Sequence, residues 1–140
     1  SWGVALIVKE LCARRGLEVP AELLFTALIH DAEEAYIGDM PAPTKWRFPV
    51  LAAEMRVAEE AVREELRLDD APHGELFTAL LKWADGLELY AYAQRRERDG
   101  ATAYGRIAGN IRTYMLTNLP QYPEALSVLA ELTLKGEGDV

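Results

Sequence analysis

The sequence predicts an all-α fold, a compact single-domain bundle of about six helices. Three observations carry this expectation. Apolar residues recur at helical spacing nearly everywhere, no stretch alternates cleanly as a half-buried strand does, and glycine or proline falls where helices need ends. Trp2 to Arg15 reads as the first helix, with Val4, Leu6, Ile7, Val8 and Leu11 on its apolar face and Gly16 as its stop. Pro20 suits the first turn of a second helix, expected to run to about Tyr36. Gly38-Asp39-Met40-Pro41-Ala42-Pro43 then breaks regularity, because two prolines do not fit a helix interior. A third helix, about Pro49 to Leu66, is apolar at Leu51, Met55, Ala58, Val62 and Leu66 and charged elsewhere. Asp69 to Gly74 reads as a connector. The fourth and longest helix, about Glu75 to Arg98, ends in a solvated basic turn that suits the helix dipole. Gly100 separates it from a fifth, about Thr102 to Thr117; Pro120 to about Leu134 gives a sixth, and residues 135–140 are expected to fray.

Composition narrows function. The 140 residues are 50% apolar and 27% charged, a globular balance and one domain's worth of chain. Fifteen Lys and Arg against 23 Asp and Glu give a net charge of −8, with no basic patch along the sequence. Duplex nucleic acid and anionic membrane surfaces are therefore set aside as partners. The single cysteine, Cys12, can form neither an internal disulfide nor a Cys-rich zinc site, and it reads as a small buried hydrophobe. No apolar run approaches the roughly 18 residues of a membrane span and no signal peptide is visible, so a cytoplasmic setting is expected. The chain opens at Ser1 inside a helical pattern, and further residues are expected upstream.

Chemistry concentrates in Leu28-Ile29-His30-Asp31-Ala32-Glu33-Glu34-Ala35-Tyr36. On a helix turning ~100° per residue, His30 and Glu34 lie about 40° apart and Asp31 and Glu34 about 60°, so the three can converge. An imidazole beside a carboxylate suits a divalent ion with N/O preference, and a second, non-ligating carboxylate suits general acid/base work. Alone, such a pair is common by chance. A second segment, Lys82-Trp83-Ala84-Asp85-Gly86, places Asp85 between Leu81 and Leu89 on one helix face. An aspartate there needs a metal or an ion-pair partner, for which Lys82 at i−3 is the ordinary choice.

His30-Asp31 with Glu34, then Gly38-Asp39-Met40-Pro41-Ala42-Pro43-Thr44-Lys45, and later Lys82-Trp83-Ala84-Asp85, resembles the HD-domain metal-dependent phosphohydrolase superfamily, closest to its 5′-deoxynucleotidase branch and related phage enzymes. The resemblance covers residues 1 to about 95 and implies an HD-type helical domain. It implies one divalent metal ion (Mn, Co, Zn, Fe or Mg) held by His30, Asp31 and Asp85. The family's pattern is His … His-Asp … Asp, and no histidine precedes His30 here, so the first ligand is expected just before Ser1. Glu34 becomes the catalytic carboxylate, and Asp39 the partner of a substrate hydroxyl or of the attacking water; by itself Asp39 would equally suit a turn or cap. Lys45 and Lys82 are the candidates to neutralise phosphate.

The remaining residues read more plainly. Glu33 points ~100° from Glu34 and is taken as solvated. His73, between Pro72 and Gly74, is taken as a surface-loop histidine, and Arg106 and Arg112 as surface residues. Tyr90, Tyr92 and Tyr104 could stack a base but read first as core or interface, whereas Trp2 and Trp83, each adjoining a metal-site segment, carry more weight as base-stacking residues.

The implied activity is hydrolysis of a small deoxynucleotide: a 5′-monophosphatase first, given no long basic track for three phosphates, with a phage-type triphosphohydrolase as alternative. A di-iron oxygenase lacks the histidines it would need, and a catalytically inactive scaffold is disfavoured by Glu34, Asp39 and Asp85 together. The family also implies a homo-oligomer, a dimer or larger.

Overall fold

A computed structural model describes residues 1–68 and 73–137. It is all-helical among the described residues: α1 (Trp2–Arg14), α2 (Ala21–Ile29), α3 (Glu34–Ile37), α4 (Ala42–Arg47), α5 (Pro49–Glu65), α6 (Glu75–Arg98), α7 (Ala103–Asn118) and α8 (Pro123–Glu137). All six expected helices are present, joined by two short ones. One is α4, where Pro43 falls in the first turn and so needs no backbone N–H. The other is α3, a correction: the second helix ends at Ile29, and residues 30–33 form a turn. Two further corrections concern the last helix. It starts at Pro123 rather than near Pro120, and it stays helical through residues expected to fray at 135–137. The connector at 69–72 and the tail at 138–140 lie outside the described residues.

Helix α6 is the hub, packed against α1, α7 and α8. Its Leu80, Trp83, Ala84 and Leu87 are fully buried against Val4, Val8, Leu11 and Cys12 of α1, Leu23 and Ala27 of α2, Met115 of α7 and Ala125 of α8. Cys12 is therefore the buried hydrophobe expected, and burial raises its thiol pKa. Trp83 corrects the stacking expectation, because it is a core residue whose indole N–H donates to the Pro120 carbonyl at 2.8 Å. Tyr90 is likewise buried, sharing hydrogen bonds with Thr133 and Gln94. His73 is half-buried and bonded to the hydroxyl of buried Thr26 at 2.9 Å, tying the start of α6 to α2 instead of facing water. At the α1–α8 edge the Arg14 guanidinium forks onto both Glu131 oxygens at 2.7 and 2.9 Å.

Gly86 lets α7 approach. A Cβ there would sit 2.6 Å from Met115 Sδ and 2.9 Å from its Cγ, and Met115 is fully buried. Gly86→Ala gains up to about 1 kcal/mol of helix propensity, while overpacking costs about 1–3 kcal/mol. We expect a net loss of about 1–2 kcal/mol in urea unfolding at unchanged m-value.

Candidate active site

The site is built where α2 breaks. Ala32 N donates to Ile29 O at 3.0 Å and Glu34 N to Asp31 O at 3.1 Å, the i→i+3 pattern of a tightened turn. A guanidinium from α5 holds this turn: Arg63 Nη1 donates to Ile29 O at 3.3 Å and to Glu33 Oε2 at 2.8 Å. Glu33 is therefore an ion-paired, largely buried residue, which corrects the solvated reading. Gly38 closes α3 with φ 79° and ψ 162°, a conformation that only glycine adopts without strain. It turns the chain so that Asp39, Met40 and Lys45 come back to the same cleft as Glu34.

His30, at the end of α2, meets both aspartates. Its Nε2 lies 2.8 Å from Asp31 Oδ2 and 3.4 Å from Asp85 Oδ1. Its Nδ1–H donates to the Ala27 carbonyl at 3.0 Å, fixing the ring. Asp31 first and then Asp85 hold the imidazolium well above the usual histidine range, at about 10. Burial pushes the Asp31 carboxyl up, but the hydrogen bond and charge of His30 outweigh it, and its pKa ends below the ordinary value. Asp85 is not the buried carboxylate its neighbours suggested: its side chain is 60% exposed and faces the cleft, as does Leu89. Nor does Lys82 pair with it.

Glu34 lies beside this cluster, part-buried. Burial, then the charges of Asp31 and Asp39, push its carboxyl up to about 7 against the pull of Lys45. Lys45 Nζ stands 3.9 Å from Asp39 Oδ1. Asp31, Glu34, Asp39, Lys45 and Asp85 all line one open cleft of about 880 Å³ between α1, the α3–α4 segment and α6. Two expected substrate-binding residues are elsewhere. Lys82 is exposed and Trp2 is 71% exposed, and neither lines the cleft, although their neighbours Gly3 and Asp85 do.

The cleft also holds residues that sequence reasoning passed over. Glu88 accepts the Ser1 hydroxyl on both oxygens, at 2.6 and 2.7 Å, and its carboxylate lies directly against Gly3. The Ser1 hydroxyl therefore ties the start of α1 to Glu88 of α6. Leu89, Tyr92 and Arg95 extend the same wall. The signal was available: positions 85, 88, 89, 92 and 95 follow the three-and-four spacing of one helix face.

An imidazole nitrogen and two carboxylates are the donor set that suits a divalent ion of borderline or hard character. They are drawn together as ion pairs, with the imidazolium itself as the positive charge. Among the described residues no three His, Cys, Asp or Glu side chains already stand in metal-holding geometry. The donor chemistry fits a cation; taking one up requires His30 to give up its Nε2 proton and the carboxylates to spread.

The chain spans about half the length of the relatives it matches. The 5′-deoxynucleotidase of Erwinia tasmaniensis is 34% identical over 85 residues, 51% of this chain and 43% of that protein. The 5′-deoxynucleotidase plu3092 of Photorhabdus laumondii is 32% identical over 90 residues, 54% of this chain and 46% of that one. The uncharacterized protein YfdR of Escherichia coli K12 is 30% identical over 105 residues, 75% and 56% respectively. No solved structure matches. The family model described as 5′-deoxynucleotidase YfbR-like matches residues 1–73, taking in α1, the turn that carries His30, Asp31 and Glu34, and all of α5. That is more than half of the chain, and the chain belongs to this family of YfbR-like 5′-deoxynucleotidases.

Proposed function

We propose that the protein is a divalent-metal-dependent phosphohydrolase that removes the 5′-phosphate from a deoxynucleoside monophosphate. The observation that carries this reading is the meeting of His30 Nε2 with Asp31 and Asp85 in one cleft with Glu34 and Lys45. His30 through Nε2, with Asp31 and Asp85, would hold one ion, which when bound acidifies water and polarises a phosphoryl oxygen.

Glu34 moves the proton. With its carboxyl near neutrality, it takes a proton from the attacking water as the new P–O bond forms. It returns that proton to the 5′ oxygen as the old P–O bond breaks, leaving a deoxynucleoside and phosphate. Lys45 offsets the charge gathering on the phosphoryl oxygens, and Asp39, beside it, accepts a hydrogen bond from a sugar hydroxyl. Lys45 and Arg95 are the only cations lining the cleft among the described residues, which favours one phosphate over three. No described helix is long and apolar enough to cross a membrane.

The test is a screen of deoxy- and ribonucleoside mono- and triphosphates against Mn, Co, Zn and Mg with products resolved. Release of inorganic phosphate from a deoxynucleoside monophosphate is expected. Release of triphosphate would replace this reading with the triphosphohydrolase, and no turnover with any ion would leave only the scaffold.

A further inference from the structure

We propose that Tyr92 and Arg95 form the nucleobase subsite of the cleft and favour a guanine edge, an inference that rests on the nucleotidase reading above. Asp85, Glu88, Leu89, Tyr92 and Arg95 lie along one face of α6 and all line the cleft. At 1.5 Å per residue, Tyr92 stands about 10 Å and Arg95 about 15 Å along the helix from Asp85. With phosphate at the His30–Asp85 end, sugar and base extend toward these two residues.

The charge distribution supports the assignment. Five carboxylates, Asp31, Glu34, Asp39, Asp85 and Glu88, line the cleft with Lys45, whereas Arg95, farthest along α6 from Asp85, also borders a second cavity with Arg98 and Lys135. Among the described residues it has no ion-pair partner. Tyr92 is half-exposed and braced edge-on by Tyr104, with ring centroids 5.9 Å apart at 78°, so that its ring has a fixed attitude toward the cleft. A braced aromatic ring is a stacking platform for any base. A planar guanidinium adds discrimination, because its paired donors match the adjacent O6 and N7 acceptors of guanine. Adenine presents an amino donor at the first of those positions.

The experiment measures kcat/KM for dGMP, dAMP, dCMP and dTMP in the wild type, Arg95→Ala, Arg95→Lys, Tyr92→Ala and Tyr92→Phe, alongside calorimetric binding of unphosphorylated deoxyguanosine and deoxyadenosine. The wild type is expected to prefer dGMP over dAMP. Arg95→Ala should reduce that ratio about tenfold without rescue by Arg95→Lys, since lysine lacks the planar fork. Tyr92→Ala should raise KM for all four about tenfold, and Tyr92→Phe should restore it. Arg95-dependent binding of deoxyguanosine without any hydrolysis would uphold the subsite and remove the nucleotidase reading. Hydrolysis with a dGMP-to-dAMP ratio near one, or one that Arg95→Ala leaves unmoved, overturns the subsite and spares the nucleotidase reading. Loss of neither turnover nor nucleoside binding in Tyr92→Ala also overturns it.

Discussion

Glu34→Gln is expected to lower kcat by about 10²–10⁴-fold, the usual worth of a positioned acid/base, while making the metal-free protein more stable at alkaline pH. The two effects share one cause. Burial and the charges of Asp31 and Asp39 raise the Glu34 carboxyl from an ordinary 4.5 to about 7 in the folded chain. Below about pH 4.5 the group is protonated in folded and unfolded chain alike, and the stability linked to it is fully present. That stability is lost as pH rises through 7, because the folded state must then ionise a carboxyl that the unfolded state ionises readily. Glutamine never ionises. At pH 8 the variant should gain about 1–3 kcal/mol over the wild type, shrinking to nothing near pH 4. Denaturant unfolding at both pH values checks the sign. A variant that loses turnover with no pH-dependent gain would mean that folding does not impair the ionisation of Glu34.

The same residue shows where sequence legibility stopped. Helical periodicity runs unbroken from Leu23 to Tyr36, with no glycine or proline to end it, and a helix through Glu34 follows. What ends α2 is tertiary: the Arg63 guanidinium, 34 residues on, takes the Ile29 carbonyl and the Glu33 carboxylate. His30, Asp31 and Glu34 share a cleft because of a turn rather than a helical face, so the convergence was foreseen for the wrong geometric reason. The motif residues Asp31, Glu34, Asp39, Lys45 and Asp85 nonetheless line one cleft. Gly38 supplies a backbone angle closed to other residues, and Asp85 comes from the opposite wall.

Proximity in sequence served less well. Trp83 is two residues from Asp85, but two residues on a helix is about 200° of rotation, which sends the indole to the core while the carboxylate faces the cleft. Lys82, only three residues before Asp85, does not line the cleft, whereas Arg95, ten residues after it, does.

Asp85→Asn is the substitution that bears most directly on the proposed metal site. Asparagine keeps the shape and removes the charge, so helix α6 and its exposed position should tolerate it. Partners one shell removed from a metal already contribute about 10–100-fold in affinity, and a direct ligand should contribute at least the upper value. Mass action turns this into a thermal readout. With Mn or Co about 100-fold above the wild-type dissociation constant, binding stabilises the folded chain by about 2.7 kcal/mol. A variant that binds about 100-fold more weakly gains only about 0.4 kcal/mol at the same concentration. The wild type should therefore rise several degrees in Tm on adding the ion, and Asp85→Asn by a degree or so. Without the ion the two should melt within about a degree of each other, since an exposed carboxylate at 3.4 Å from His30 stabilises the fold little. Equal ion-induced shifts in both proteins would place the cation elsewhere, and with it the reacting phosphate.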